Sequence, residues 1–157
     1  MRRPFPVVAI VSACALGGII IFGLMSWRAT SIERLAPPEV ARRVEAIRQR
    51  FGDAGPVLRL AADGTVIDRR VPANDGGATI ASIVVITYDS TARRLTETRI
   101  PFWFFRVKAP AAQYAFGGTG LDFQRLGVTA ADLRRYGPAL VVDHTTEAGG
   151  RLVVWTE

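Results

Sequence analysis

The stretch Thr79–Tyr88, TIASIVVITY, decides the fold. Ile83, Val84, Val85 and Ile86 are apolar in succession and β-branched. Successive side chains of a strand point to opposite faces, so this run has to be covered on both sides. It predicts a central strand with a layer packed against each face.

Downstream, Asp89-Ser90-Thr91-Ala92 turns the chain back. Arg93–Val107 then reads as a long strand interrupted at Pro101, where a residue without an amide proton suits an edge or a bulge. As a strand, Phe102-Trp103-Phe104-Phe105 puts two aromatics on each face. The core takes one pair, and the other must meet a second layer, a bilayer surface or a partner. Phe102, Trp103, Phe104 and Phe105 are therefore the candidate interaction residues. Ala109–Phe116 reads as a short helical turn, and Gly117-Gly118-Thr119-Gly120 as a flexible connection, because no P-loop or dinucleotide-binding unit surrounds it. Leu121–Leu126 reads as a further turn. Thr129-Ala130-Ala131-Asp132 is a capping-box start, with Val128 and Leu133 at the staple positions and Gly137-Pro138 as the stop. Ala139–Asp143 and Arg151–Thr156 are strands joined by a polar loop containing Gly149-Gly150.

Upstream, Val57–Ala61 and Thr65–Val71 flank Ala62-Asp63-Gly64, a hairpin turn. Pro72–Gly77 is a loop. Before the hairpin, Val40, Val44, Ile47 and Phe51 form the apolar stripe of a helix that starts at Pro37-Pro38 and stops at Gly52. Glu39 and Arg43 are spaced for an i,i+4 pair, and Arg42, Arg48 and Arg50 read as the wet face.

The N-terminal run Phe5–Trp27 has no charged side chain and lies between Arg2-Arg3 and Arg28. As a helix it rises roughly 34 Å, enough to cross a hydrocarbon core of about 30 Å with some tilt. It is too long for a signal-peptide h-region and lacks a clean small-x-small cleavage site. Trp27 and Arg28 suit the membrane interface. Val11-Ser12-Ala13-Cys14 resembles a lipoprotein acylation box, but the residues after Cys14 continue as membrane-like sequence instead of a polar linker. Ala9, Ala13 and Gly17 share one face of the span, at a spacing that lets two helices approach closely.

The chain has 157 residues and a net charge of +6, with Lys108 its only lysine. Arginine doublets at 42–43, 69–70, 93–94 and 134–135 are scattered among acids, unlike the massed basic face of a nucleic-acid binder. A diffuse basic surface near a bilayer could attract anionic headgroups. One cysteine and one histidine preclude an intradomain disulfide, Cys-rich zinc sites and HExxH or multi-histidine metal sites. GxxxxGK[ST], GxGxxG and GxSxG are absent. The remaining catalytic candidate is His144 with Asp143, and Asp122 and Asp132 as accessory carboxylates. Adjacent strand residues point to opposite faces, however, so Asp143 would not orient His144, which begins a predicted exposed loop.

The expected architecture is a basic tail (1–4), a transmembrane helix (5–27), a juxtamembrane linker (28–37) and one α+β domain (38–157). The domain is expected to hold an antiparallel sheet of about five or six strands and two or three helices. The expected function is non-enzymatic: protein interaction or scaffolding in a bacterial envelope assembly, from the inner membrane, with the domain on the periplasmic or extracellular side. The bilayer is the partner of residues 5–27, with a second copy or another membrane protein as further partner, and nucleic acid disfavoured. No cofactor or metal is expected. The alternatives are a membrane-anchored hydrolase using His144 with a carboxylate, and a basic domain that binds anionic lipid headgroups.

Overall fold

A computed structural model describes residues 30–72, 78–108 and 123–157. The expected span, with Ala9, Ala13, Cys14, Gly17, Trp27 and Arg28, lies outside these residues, as do the 74–77 loop, the 117–120 glycines and Asp122. Among the described residues no helix is long and apolar enough to cross a membrane.

The domain is α+β. Its strands are β1 (Thr30–Arg34), β2 (Leu58–Leu60), β3 (Val66–Arg69), β4 (Ser82–Asp89), β5 (Arg94–Pro101), β6 (Leu140–Thr145) and β7 (Arg151–Thr156). Its helices are α1 (Pro37–Arg50), α2 (Phe102–Lys108) and α3 (Ala130–Tyr136). The strands form one seven-stranded sheet in the order β1-β5-β4-β7-β6-β2-β3. β4 is buried along its length up to Asp89, as its apolar run requires. It pairs antiparallel with β5 on one side and β7 on the other.

Side-chain alternation divides the core into two layers. Val84, Ile86 and Tyr88 of β4 face one side, where they meet Leu95, Leu140, Val153 and Trp155 and the α1 stripe of Val40, Val44 and Ile47. Burying each of those helix side chains contributes about 1.5–3 kcal/mol. Ile83 and Val85 face the other side, with Ile100, Val141, Val142, Leu152 and Val154 of the sheet, Phe102 and Phe105 of α2, and Leu133 of α3. A bulge between Leu140 and Val142 sets the register of β6 against β7.

Four features differ from the sequence reading. The sheet has seven strands and is mixed, because β2 runs parallel to β6. Thr30–Arg34, within the expected linker, is the edge strand β1. It has no apolar alternation because it is exposed at nearly every residue, and it is held by backbone pairing to β5. The long strand from Arg93 stops at Pro101, and Phe102–Phe105 is helical. The Phe102 amide makes a last sheet-side bond to the Ala81 carbonyl (2.9 Å), after which Phe102 and Phe105 fall on one helical face and both are buried. Aromatic β-propensity is here overridden by burial at i,i+3 spacing. Finally, Glu39 and Arg43 do not pair. The Glu39 carboxylate accepts the Ala36 amide at the helix start (3.0 Å), and Arg43 reaches Glu33 (3.0 Å) and Glu97 (2.7 Å).

Candidate functional site

The arginines of α1 are not simply a wet face. Arg48 bonds Asp143, and Arg151 bonds the other oxygen of the same carboxylate. Asp143 is only 4% exposed, so its charge is held by these two guanidiniums. Arg50 and Arg99 both approach Glu157, at 3.5 and 3.0 Å. On the opposite side, Arg69 donates to the carbonyls of Leu126 (3.1 Å) and Gly127 (2.9 Å), and Arg70 to those of Ala54 and Gly55. Much of the apparent basicity is therefore internal bracing.

Asp143 and His144 point to opposite faces of β6, as strand alternation requires. Contrary to the loop expectation, His144 lies within β6 and is only 6% exposed. The Asp143 carboxylate is already bonded by two arginines, so it does not orient the imidazole. Asp132 caps α3: Thr129 and Asp132 exchange the bonds of a capping box, and Arg69 stands 3.9 Å away. Among the described residues no three of His, Cys, Asp or Glu come together as metal ligands would.

Burial, reinforced by the Arg151 charge, holds the His144 imidazole below its ordinary value of 6.5, against the opposing pull of Asp143 and Asp63. For Asp132 burial works upward, but the Thr129 bonds and Arg69 outweigh it and hold the carboxyl below its ordinary 3.8. For Glu157 burial is likewise outweighed, by Trp155, Arg99, Ser82 and Arg50, which hold it below 4.5. All three folded-state values are depressed, so each group stabilises the fold above its unfolded value and that contribution fades as pH falls through the folded value. Stability is therefore expected to fall in acid in two stages. The first, below about pH 6.5, comes from His144, and the second, below about pH 4, from the carboxylates. Chemical-denaturant titrations of wild type and His144→Asn at a series of pH values check this, since the variant should lose only the first stage.

Among the exposed apolar side chains of the described residues, one is aromatic. In α2, Phe102 and Phe105 turn into the core, with ring centroids 6.3 Å apart, and Phe105 meets Phe123 edge-on at 4.7 Å. Trp103, on the opposite side of the helix, is 59% exposed. Phe104, partly buried, supports it edge-on at 5.7 Å and 84°. Beside Trp103 is a groove of about 490 Å³ lined by Ala78, Thr79, Ile80, Phe102, Arg106 and Arg134. Neither Arg106 nor Arg134 has a carboxylate partner among the described residues.

The groove is built by close approach. Gly137 ends α3 with φ +66°, and a Cβ there would lie 2.8 Å from that of Ala78, so glycine allows the 78–80 segment to run against the helix end. The buried Thr156 hydroxyl donates to the Gly137 carbonyl (2.6 Å) and accepts the Ala139 amide (2.9 Å), locking this corner to β7. A second concavity, of about 510 Å³ along α1, includes Arg42, Arg48 and Arg151, but the last two share the Asp143 carboxylate and Arg48 also approaches Glu45 (3.5 Å).

Of the four aromatics singled out by sequence, the structure thus divides the roles: Phe102 and Phe105 are core, Phe104 is a support, and Trp103 is surface. Arg106 and Arg134 were not singled out, because they reach the groove from two helices far apart in sequence. No family model matches this chain, and neither does any curated protein or solved structure.

Proposed function

We propose that this chain is a membrane-anchored, non-enzymatic binding domain of a bacterial envelope assembly. It is held by the 5–27 span with the domain outside the cytoplasm, and it docks a protein partner on Trp103 and the adjacent groove. The observation that carries this reading is Trp103. A large apolar side chain left mostly in water, on a helix whose other aromatics are buried or partly buried, is a feature of interaction surfaces. Arg106 and Arg134 beside it give the partner its chemistry: a segment that presents carboxylates next to an apolar side chain.

The test is Trp103→Glu in the full chain, purified from membranes with whatever it carries. Trp103 contributes surface and not core, so stability is expected to change by no more than about 0.5 kcal/mol. A protein that co-purifies with wild type should be lost, because the new carboxylate repels the partner's acids and removes the anchor. Unchanged stability with every association intact would refute the reading. Reporter fusions at Glu157, one active only outside the cytoplasm and one fluorescent only inside, test the compartment. A fluorescent fusion would place the domain on the wrong side for an envelope partner.

A further inference from the structure

The Trp103 groove has a place in the fold as well as a chemistry. β1 is the neighbour of β5 at one edge of the sheet. The Leu35 amide, just past β1, donates to the Arg93 carbonyl, just before β5 (3.1 Å). With one guanidinium, Arg43 reaches Glu33 of β1 (3.0 Å) and Glu97 of β5 (2.7 Å). Both contacts hold only if β1 runs antiparallel to β5, since in a parallel pair Glu97 would stand about 20 Å from Glu33. Following the chain back from Arg34 to Thr30 therefore leads along β5 toward Pro101.

At Pro101 the sheet gives way to α2, whose second residue is Trp103. The end of the sheet where the chain enters the domain is thus the end that carries the groove. Arginines gather at this end. Arg99, and Arg50 at the close of α1, both approach Glu157 and are more than half exposed. Arg106 and Arg134 line the groove and have no carboxylate partner among the described residues. The 89–92 turn marks the opposite end, about 30 Å away along β5. Only residues 28 and 29 separate β1 from the apolar run that ends at Trp27. Fully extended, the chain from Trp27 to Thr30 reaches about 10 Å.

We propose that the groove works at the headgroup layer of the chain's own bilayer, and that its occupant is the juxtamembrane segment of a second integral membrane protein, with carboxylates beside an apolar side chain. The inference rests on the reading of Phe5–Trp27 as a span and of Trp103 as a docking anchor, and adds the class of the partner. So short a tether confines this end of the domain to a thin layer above the bilayer. Another protein anchored in the same bilayer holds its own juxtamembrane residues in that layer. The two meet at high effective concentration, so a modest contact suffices, and a soluble partner gains none of this. Arg106 and Arg134 offer forked donors to the partner's carboxylates. Lipid phosphates suit the arginines equally well. A fluid headgroup layer, however, holds no apolar side chain in place beside its phosphates, and Ala78, Ile80 and Phe102 make part of the groove apolar.

The test uses the full chain and has two arms. For the first, the only cysteine, Cys14, is changed to Ser, and a fluorophore is placed on Trp103→Cys or on Ala92→Cys, an exposed position in the distant turn. Each chain is reconstituted in phosphatidylcholine–phosphatidylglycerol vesicles that hold a lipid with a nitroxide on its headgroup. The label at 103 should lose most of its fluorescence and the label at 92 should keep nearly all of it. Equal quenching at the two positions would overturn the proposal, whatever docks on Trp103. For the second, a photo-activatable side chain with a cleavable link replaces Trp103 in native membranes. After irradiation the link is cut, leaving a tag on the partner, and the membranes are extracted with alkaline carbonate. The tagged protein should stay in the pellet, and Arg106→Glu with Arg134→Glu should reduce the tagging about tenfold, because the reversed charges repel its acids. A tagged protein that moves to the supernatant would overturn the proposal and leave Trp103 as a docking anchor. Tagging of lipid alone would overturn both and make the bilayer the occupant, and no tagging at all would likewise overturn both.

Discussion

Phe105→Ala is expected to cost about 3–5 kcal/mol and to unfold a large fraction of the domain at physiological temperature. Phe105 is fully buried, lies against Phe102 and Phe123, and joins α2 to the face of the sheet that also receives α3. Truncating it removes the apolar transfer energy and leaves a cavity between elements far apart in sequence, so the site has little freedom to collapse. The loss should appear as a lowered denaturant midpoint with an unchanged slope. Phe105→Leu, which retains most of the volume, should recover more than half of it. Trp103→Glu, two residues away, should leave the same midpoint in place. The pair of measurements separates the core role of one aromatic from the surface role of its neighbour.

The second large effect is expected from Asp143→Ala, at about 2–4 kcal/mol. The substitution takes the shared acceptor from Arg48 and Arg151 together. Arg48 is nearly half exposed and can turn to water, whereas Arg151 is more enclosed and its Nε already has no hydrogen-bond partner. The cost therefore falls mainly on Arg151, which would sit beside the sheet without a counter-charge. Thermal unfolding should show a Tm lowered by about 10 °C. In a double-mutant cycle with Arg151→Met, the Asp143 penalty should shrink, because the stranded guanidinium is gone. Equal penalties in both backgrounds would mean that the carboxylate is not holding Arg151 in place.

The parts of the fold written in local patterns were legible. The four-residue apolar run of β4 demands cover on two faces, and both layers are there. Thr129 and Asp132 mark the start of α3 with their own side chains. The α1 stripe and the β2–β3 hairpin follow from helical periodicity and from the 62–64 turn. What was not legible depended on distant partners. β1 is exposed along most of its length and is a strand because β5 offers backbone groups to it. Phe102–Phe105 has strand propensity, and it becomes helical where Pro101 ends the ladder and i,i+3 spacing buries two rings at once. The parallel β2–β6 contact joins positions more than eighty residues apart and leaves no local trace.

The same distinction holds for the candidate site. The aromatic surplus at 102–105 was visible as a surplus, but its division between core and surface was not, since that depends on helical geometry. Arg106 and Arg134 are ordinary surface arginines in sequence and become a pair only where α2, α3 and the 78–80 segment converge. His144 and Asp143 were visible as neighbours, and strand alternation correctly set them apart. What the sequence could not reveal was that Asp143 is the counter-ion of two arginines from different elements.

The docking role of Trp103 is tested most directly by placing a photo-activatable amino acid at position 103 of the full chain and irradiating intact membranes. The same label at Arg42, on the exposed face of α1, is the control. The account predicts one discrete protein adduct from position 103, absent from position 42 and competed by excess unlabelled wild-type chain but not by Trp103→Glu chain. No adduct from position 103, or the same adducts from both positions, would contradict it.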